Sequence, residues 1–363
     1  MIAKSNINRI FFPFLIALLI GTSLPFFSLN FAEAFEKKDF KFYGYLDLNY
    51  TRFNKNPGKK KDSFDGSQLN LLLDYSATEN LILKSQFEIG NEEDTFRNLE
   101  KVETEYLFAQ YFFSDALQVR GGTILTPFGI FNEIHNATPA FLTVEIPLNI
   151  YEADDRGGFN FFSENNLGGS ILGNYFFKSE SFSSWEINYS AYIGESDDID
   201  SPDPMKIEGN PNKAIGAQLN VSPSDLLTFG FSFFSEDDAL FNLFSASHTT
   251  FLGSAIFNKN DFNLTFEAVY SKLSGAEQVA FFAQTSYLFK KLSPYYRFEY
   301  TDPFLSQPDD QWKTHIFGLN YKLFKSAVLK SEINIHDTEK NNASITVNQE
   351  SFNEVKAAIA IAF

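Results

Sequence analysis

The stretch Phe40–Thr51, FKFYGYLDLNYT, decides the fold that we predict for this chain. Large apolar side chains recur there at every second position: Phe40, Phe42, Leu46, Leu48 and Tyr50. The positions between them carry polar side chains: Lys41, Asp47, Asn49 and Thr51. A period of two indicates a β-strand, because successive side chains of a strand point to opposite faces. One face of this strand is apolar and the other is polar.

The same alternation continues through a chain that is rich in aromatic residues, with 44 Phe and 16 Tyr among 363 residues. A helical membrane protein needs runs of roughly 20 apolar residues, and the sequence after residue 34 has none. Dispersed apolar residues at alternate positions are typical of barrel strands that separate lipid from water. The sequence therefore predicts an all-β fold, a closed antiparallel transmembrane β-barrel.

Composition excludes several functions. The chain has no Cys, so thiolate metal sites and thiol nucleophiles are excluded, as suits a protein exported into the oxidising periplasm. A net charge of −17 argues against a nucleic-acid partner. This acidity is explained equally well by a solvated surface and by a field that favours cations.

The first 34 residues have the organisation of a secretory signal. Lys4 and Arg9 precede the apolar run 10–20, and Ala32-Glu33-Ala34 provides small residues for cleavage. We predict a signal peptide over 1–34 and a barrel over 35–363, which leaves no room for an N-terminal plug domain. The alternative is an uncleaved anchor, although Pro13, Gly21 and Pro25 interrupt the stretch.

Sixteen segments of the chain show the strand pattern. Their predicted ranges are 40–52, 68–76, 81–89, 102–113, 118–126, 167–177, 185–194, 213–221, 226–235, 249–257, 261–271, 278–289, 292–301, 313–322, 325–336 and 351–363. Short and long connections alternate between them, as in bacterial barrels with periplasmic turns and extracellular loops. The segment 272–277 is the weakest member of the long set. We predict a sixteen-stranded barrel in the bacterial outer membrane.

The end of the sequence resembles the C-terminal signature of outer-membrane barrels, with a terminal aromatic residue and apolar residues at alternate positions before it. Ile359, Ile361 and Phe363 carry this pattern. The resemblance implies recognition by the barrel-assembly machinery. Trp185, Trp312, Tyr295 and Tyr296 lie near predicted strand ends, where they belong either to interfacial aromatic girdles or to ordinary strand composition.

The stretch Arg120–Gly129, RGGTILTPFG, resembles the strand-to-loop segment of trimeric porins of the phosphate-selective type, and 213–220 and 287–300 look similar too. The resemblance implies a porin, a passive channel for small hydrophilic solutes, and a homotrimer. It also implies that the long loop 127–166, after the fifth strand, folds into the barrel as a constriction element. The loop residues expected to act there are Glu133, His135, Glu145, Glu152, Asp154, Asp155, Arg156 and Glu164.

This loop is acidic, with Arg156 as its sole Arg and no Lys, whereas a phosphate channel needs basic side chains. A cation preference is expected instead. Strand parity directs further charged residues into the lumen: Lys84, Glu88, Arg120, Glu267, Arg297, Glu299, Lys330 and Glu332. Each either contributes to selectivity or is simply one of the polar side chains that a water-filled barrel requires.

No catalytic or metal-binding motif is recognisable in the sequence. His135, His248, His315 and His336 have no partner at catalytic or metal-site spacing, and we expect neither an enzyme nor a cofactor. The acidic run 197–203 is either a solvated outer loop, bridged to lipopolysaccharide by divalent ions, or a Ca²⁺ site. The competing functions are a plug-less barrel that takes up a siderophore or another specific ligand, and a blocked structural barrel. Membrane lipid completes the expected partners.

Overall fold

The computed structural model describes residues 39–54, 62–64, 67–90, 102–134, 137–153, 159–177, 184–196, 213–238, 246–339 and 351–363. Lys41–Phe363 forms one compact unit, which contains the barrel. The predicted signal peptide and the acidic run 197–203 lie outside the described residues. No helix among the described residues is long and apolar enough to cross a bilayer.

Sixteen long antiparallel strands form the unit, which confirms the predicted fold class. They are β1 Phe40–Phe53, β2 Gln68–Ser76, β3 Leu81–Gly90, β4 Val102–Ser114, β5 Leu117–Leu125, β6 Asn165–Phe177, β7 Trp185–Ser196, β8 Ala214–Ser224, β9 Leu227–Asp238, β10 Ala246–Lys259, β11 Phe262–Leu273, β12 Ala276–Tyr287, β13 Leu292–Asp302, β14 Trp312–Phe324, β15 Ala327–Thr338 and β16 Phe352–Ala362. Every boundary lies within three residues of its prediction. Local alternation was sufficient to locate the strands.

The strands close into a ring because each pairs with its neighbours in sequence and β1 pairs with β16. The closing register runs from Tyr45 opposite Ala362 to Phe53 opposite Glu354. Phe363 extends it, since its backbone N–H donates to Gly44 at 2.9 Å and its carbonyl accepts from Gly44 at 3.0 Å. A two-residue strand, Asp62–Ser63, adds to β1 at one rim. Closure leaves no strand edge to be satisfied by lipid.

The connections follow the predicted alternation of short and long. One rim carries mostly short turns, such as the two residues between β4 and β5. The other carries the long loops, including the 39 residues between β5 and β6. The exception is Ser274–Gly275, a two-residue turn on the long-loop rim where both residues have positive φ, 51° and 93°. This is the connection that the sequence marked as the weakest of the long set.

The outer face of the barrel is apolar. Large hydrophobic side chains are exposed or half-buried at alternate positions of the strands, for example Ile171 on β6, Phe231 on β9 and Ile333 on β15. A closed wall with such a belt suits the hydrocarbon layer of a membrane, as the predicted location in the bacterial outer membrane requires. Tyr295 and Trp312 do not contribute to the belt, because strand parity turns both side chains inward, where they are buried.

The inner face of the wall is mostly polar, but the interior of the barrel also contains an apolar core. The segment between β5 and β6 supplies about half of it, with two 3-10 turns, Asn132–Ile134 and Thr138–Ala140, and one short helix, α1, Leu148–Tyr151. Its residues in this core are Phe128, Phe131, Phe141, Ile146, Ile150, Ala153, Phe161 and Phe162. They pack on inward-facing residues of the wall, among them Phe234, Leu252 and Phe282.

Two adjacent residues at mid-height of β7 test the two faces directly. Ala191 is exposed on the outer face, and Ser190 points inward. We expect Ala191→Lys to lower the free energy of unfolding in lipid vesicles by about 2–4 kcal/mol, the cost of a lysine at the bilayer midplane. Ser190→Lys, at the same depth, should cost less than half of this because the lumen is polar. Urea titration of the refolded proteins measures both, and equal losses would contradict the assigned faces.

Candidate functional site

The candidate site is the interior face of the barrel together with the segment 126–164, whose two ends are tied together. The Thr126 N–H donates to the Glu164 carbonyl at 2.8 Å, and the Thr126 hydroxyl donates to the Ser163 carbonyl at 2.5 Å. The Asn132 amide donates to the Thr126 carbonyl at 2.7 Å. This junction lets the segment leave β5 and enter β6 as a closed loop that contacts the inner wall.

Lys330 on β15 is the strongest single link between the wall and the segment. Its ammonium group donates to three carbonyls of the segment, those of Thr138 at 2.5 Å, Phe141 at 2.8 Å and Thr143 at 2.6 Å. It also lies 4.6 Å from the centre of the Phe141 ring. Three rotatable donors suit an ammonium group to this task, and the side chain is completely covered.

Arg297 on β13 makes a second buried link. Its guanidinium donates to Gln284 at 2.9 Å and to Glu299 at 3.2 Å, and also to the Thr143 hydroxyl. The side chain has no exposed surface. A buried guanidinium is tolerated only when it is paired and hydrogen-bonded in this way. The segment therefore supplies, through Thr143, one of the hydrogen-bond partners that the buried Arg297 guanidinium needs.

Glu267 on β11 holds the start of the segment. One carboxylate oxygen accepts from the Ile130 N–H at 2.7 Å, and the other accepts from the Tyr151 hydroxyl at 2.9 Å. The Phe131 N–H donates to the same hydroxyl at 3.0 Å. Burial, followed by the Glu267 charge, raises the pKa of Tyr151 well above its usual value, so the phenol keeps its proton. Gly129 has a φ of 63°, and a Cβ there would collide with Tyr151.

Further contacts join the middle of the segment to β12–β16. The Val144 N–H donates to Glu332 at 2.5 Å, and Lys356 forms an ion pair with Glu145 at 2.5 Å. The Asn149 amide bridges the carbonyls of Phe281 and Tyr300 at 2.9 and 3.1 Å. These bonds pair backbone and side-chain groups that would otherwise be buried without partners.

The eight predicted lumen residues all lie on inward-facing strand positions, but they differ in exposure. Five are covered, at 3% exposure or less: Glu267, Arg297, Glu299, Lys330 and Glu332. Glu88 is also buried. Lys84 stays partly accessible and pairs with Asp74 at 3.5 Å, while Arg120 pairs with Glu133 at 3.1 Å. Most of these charges therefore hold the segment or one another instead of facing open water.

The predicted loop residues divide in a similar way. Glu133 and Glu164 are exposed, and Glu152 is half-buried. Glu145 forms an ion pair with Lys356. His135, Asp154, Asp155 and Arg156 lie outside the described residues. Sequence reasoning missed three neutral residues that link wall and segment. Tyr151 bonds to Glu267, Gln278 bonds to the backbone of Phe159, and the Asn320 amide donates to the Leu142 carbonyl at 2.7 Å. Strand parity places a residue on a face but does not identify its partner.

Open space remains beside β5–β8. A cavity of about 430 Å³ is bordered by Arg120 on β5, by Glu133 of the segment and by amide and hydroxyl side chains of the wall. The Arg120 guanidinium is 4.5 Å from the centre of the Phe108 ring and only 13% exposed. This ion pair joins wall to segment at the margin of the cavity.

One pairing in the interior has the residue types of a hydrolase. His248 Nε2 lies 2.9 Å from the Ser271 hydroxyl, and Thr250 lies 3.1 Å from the same nitrogen. All three are buried, with the Phe159 and Phe234 rings packed against His248 at 5.6 and 5.4 Å. The Ser271 hydroxyl is therefore not accessible to a substrate. Among the described residues, no group of three His, Asp or Glu could hold a metal ion.

This chain is similar to known proteins mainly in its three-dimensional structure and much less in its sequence. No family model matches the sequence. An uncharacterised protein of Aquifex aeolicus is 36% identical over 118 residues, which are 31% of this chain and 25% of that protein. The chain thus spans about a quarter of the length of this relative.

Three solved structures have the same architecture across 89% of this chain. An anion-selective porin from Comamonas acidovorans has a TM-score of 0.61 at 12% identity and is covered over 99% of its length. A loop-deletion variant of OmpT, an outer-membrane protein of Vibrio cholerae, scores 0.59 at 11% identity, with 99% of it covered. OmpF of Salmonella typhi scores 0.57 at 10% identity, with 97% of it covered. The predicted likeness to sixteen-stranded porins is thus confirmed at the level of the fold.

Proposed function

We propose that this chain forms a water-filled channel for passive diffusion of small hydrophilic solutes across the outer membrane. The observation that carries the proposal is the segment 126–164, which contacts inward-facing residues of β8–β16 while a polar cavity remains beside β5–β8. Sixteen strands enclose more space than wall side chains can fill. In this proposal the segment narrows the passage, and the pair Arg120–Glu133 borders its narrow part.

A preference for cations is part of the same proposal. Carboxylates outnumber cations on the described inward strand positions. The carboxylates are Asp47, Asp74, Glu88, Glu103, Glu186, Glu236, Glu267, Glu299, Glu332 and Glu354, and the cations are Lys41, Lys84, Arg120, Arg297, Lys322, Lys330 and Lys356. The described part of the segment adds four carboxylates and no Lys or Arg. Fixed charge of one sign in a low-dielectric passage concentrates the opposite ion.

Export and assembly complete the proposal. We infer that residues 1–34 are removed on export, that the C-terminal strand is read by the barrel-assembly machinery, and that the protein works as a homotrimer. OmpT of Vibrio cholerae, which is 11% identical with a TM-score of 0.54, has been described in a trimer form. The covered His248–Ser271 pair favours a channel over a hydrolase.

Channel recordings of the refolded protein in planar bilayers test conductance and selectivity together. Under a KCl gradient we expect a reversal potential shifted toward K⁺. Glu133→Gln should lower the cation-to-anion permeability ratio roughly twofold and Arg120→Gln should raise it by a similar factor, because each leaves one uncompensated charge beside the passage. The current through a trimer should fall in three equal steps as its three channels close.

A preference for Cl⁻ would contradict the proposal. So would the absence of any current together with tight binding of a chelated-iron ligand.

Removing a link between wall and segment tests the narrowing role. Lys330→Met deletes three hydrogen bonds from a charged donor, each worth about 1.5–3 kcal/mol. We expect a higher single-channel conductance and more open-channel noise, because the segment is held less firmly. The same change at exposed Lys259, an outward-facing position at the end of β10, is the control, and Lys259→Met should leave both unchanged. Identical traces from the two variants would show that Lys330 does not hold the segment.

A further inference from the structure

The cavity beside β5–β8 has a wall that is uncharged and hydrogen-bonding. Eight amide or hydroxyl side chains border it: Gln118, Ser170, Asn174, Asn188, Tyr189, Ser190, Gln218 and Asn220. Its volume of about 430 Å³ lies in the usual range of small-molecule sites, about 300–1,000 Å³. The one cation at its border, Arg120, is compensated by Glu133 at 3.1 Å.

Several polar groups of this wall have no hydrogen-bond partner in the described part of the protein. Glu186 accepts from the side-chain amides of both Asn174 and Asn188, at 2.9 and 3.1 Å, which uses one of the two N–H groups of each amide. The Asn174 side-chain oxygen has no hydrogen-bond partner, and neither has the hydroxyl of Ser170 or Ser190. Ser170 is only 4% exposed. Such atoms are costly to leave unpaired, and a hydroxyl can both donate and accept.

The border also includes apolar surface. Leu172 and Pro127 lie among the polar groups, and Phe108 underlies the Arg120 guanidinium. A mixture of amides, hydroxyls and small apolar patches matches a ring that bears hydroxyl groups on its edge and C–H groups on its faces. It matches an anion poorly, because the one cation at the border, Arg120, is compensated by Glu133.

We propose that this cavity binds an uncharged, polyhydroxylated solute of the size of a mono- or disaccharide as it passes through the barrel. The proposal rests on the channel function given above and names the class of solute that the channel favours. Hydroxyl groups of the solute donate to and accept from the amides and hydroxyls that border the cavity. An ammonium ion fits less well, because the Arg120 guanidinium is in the border.

Block of the ion current by sugar tests the site in the full-length protein. Maltose and glucose are titrated against the KCl current of wild type, of Asn188→Leu, which keeps the side-chain size, and of the double variant Ser170→Ala/Asn188→Leu. The control is Asn263→Leu, an inward amide on β11 that bonds to Asn258 at 2.6 Å, far from the cavity in the strand order. We expect the half-blocking maltose concentration to rise about tenfold in the double variant, as for the loss of one good hydrogen bond, and not to change in the control.

The other outcomes separate this inference from the channel function. An open channel whose current maltose and glucose leave unchanged, or equal sugar block in all variants, would overturn the inference and leave the channel intact. Block by choline with the same sensitivity to the variants would also overturn it, because the site would then be one for cations. If wild type carries no current, the proposed channel fails, and titration calorimetry of the detergent-solubilised protein with maltose decides on the site alone.

Discussion

Backbone hydrogen bonding inside the hydrocarbon layer is the constraint on which this structure depends. Lipid offers no partner for an N–H or a C=O group, so every strand must pair on both sides. The register between β1 and β16 meets this requirement by closing the ring. Closure then forces alternate side chains outward and inward, which explains why aromatic residues are numerous in a chain whose mean hydropathy is −0.19.

A ring of sixteen strands leads to a second requirement, because its inner face carries charges that must be solvated or paired. Water does this where the lumen is open. Elsewhere the segment between β5 and β6 does it with its own backbone, as the three carbonyls around Lys330 show. In return, Glu267 and Glu332 accept the backbone N–H groups of Ile130 and Val144 of the segment. Wall and segment therefore each satisfy polar groups of the other, and an apolar core including Phe128 and Phe282 fills the space between them.

The sequence was most informative where structure is local. A period of two located all sixteen strands and assigned Lys84 and Glu88 to the inner face, because the direction of a strand side chain depends only on position parity. The pairing of Lys330 with Thr138, Phe141 and Thr143 joins residues almost 190 positions apart, and no local pattern encodes it. The apolar residues of the long segment were a usable signal, since an exposed loop has little reason to carry Phe128, Phe131, Phe161 and Phe162.

Amide hydrogen exchange of the protein in micelles tests most directly whether the segment is bonded to the inner wall. The N–H groups of Ile130 and Val144 donate to the wall residues Glu267 and Glu332, and that of Phe131 donates to Tyr151, whose hydroxyl is bonded to Glu267. None of the three donates to a β-ladder. The account predicts that these three amides exchange as slowly as neighbouring strand amides. Exchange at the rate of an unstructured peptide, with the strands still protected, would show that the segment is not bonded to the wall and would contradict the account.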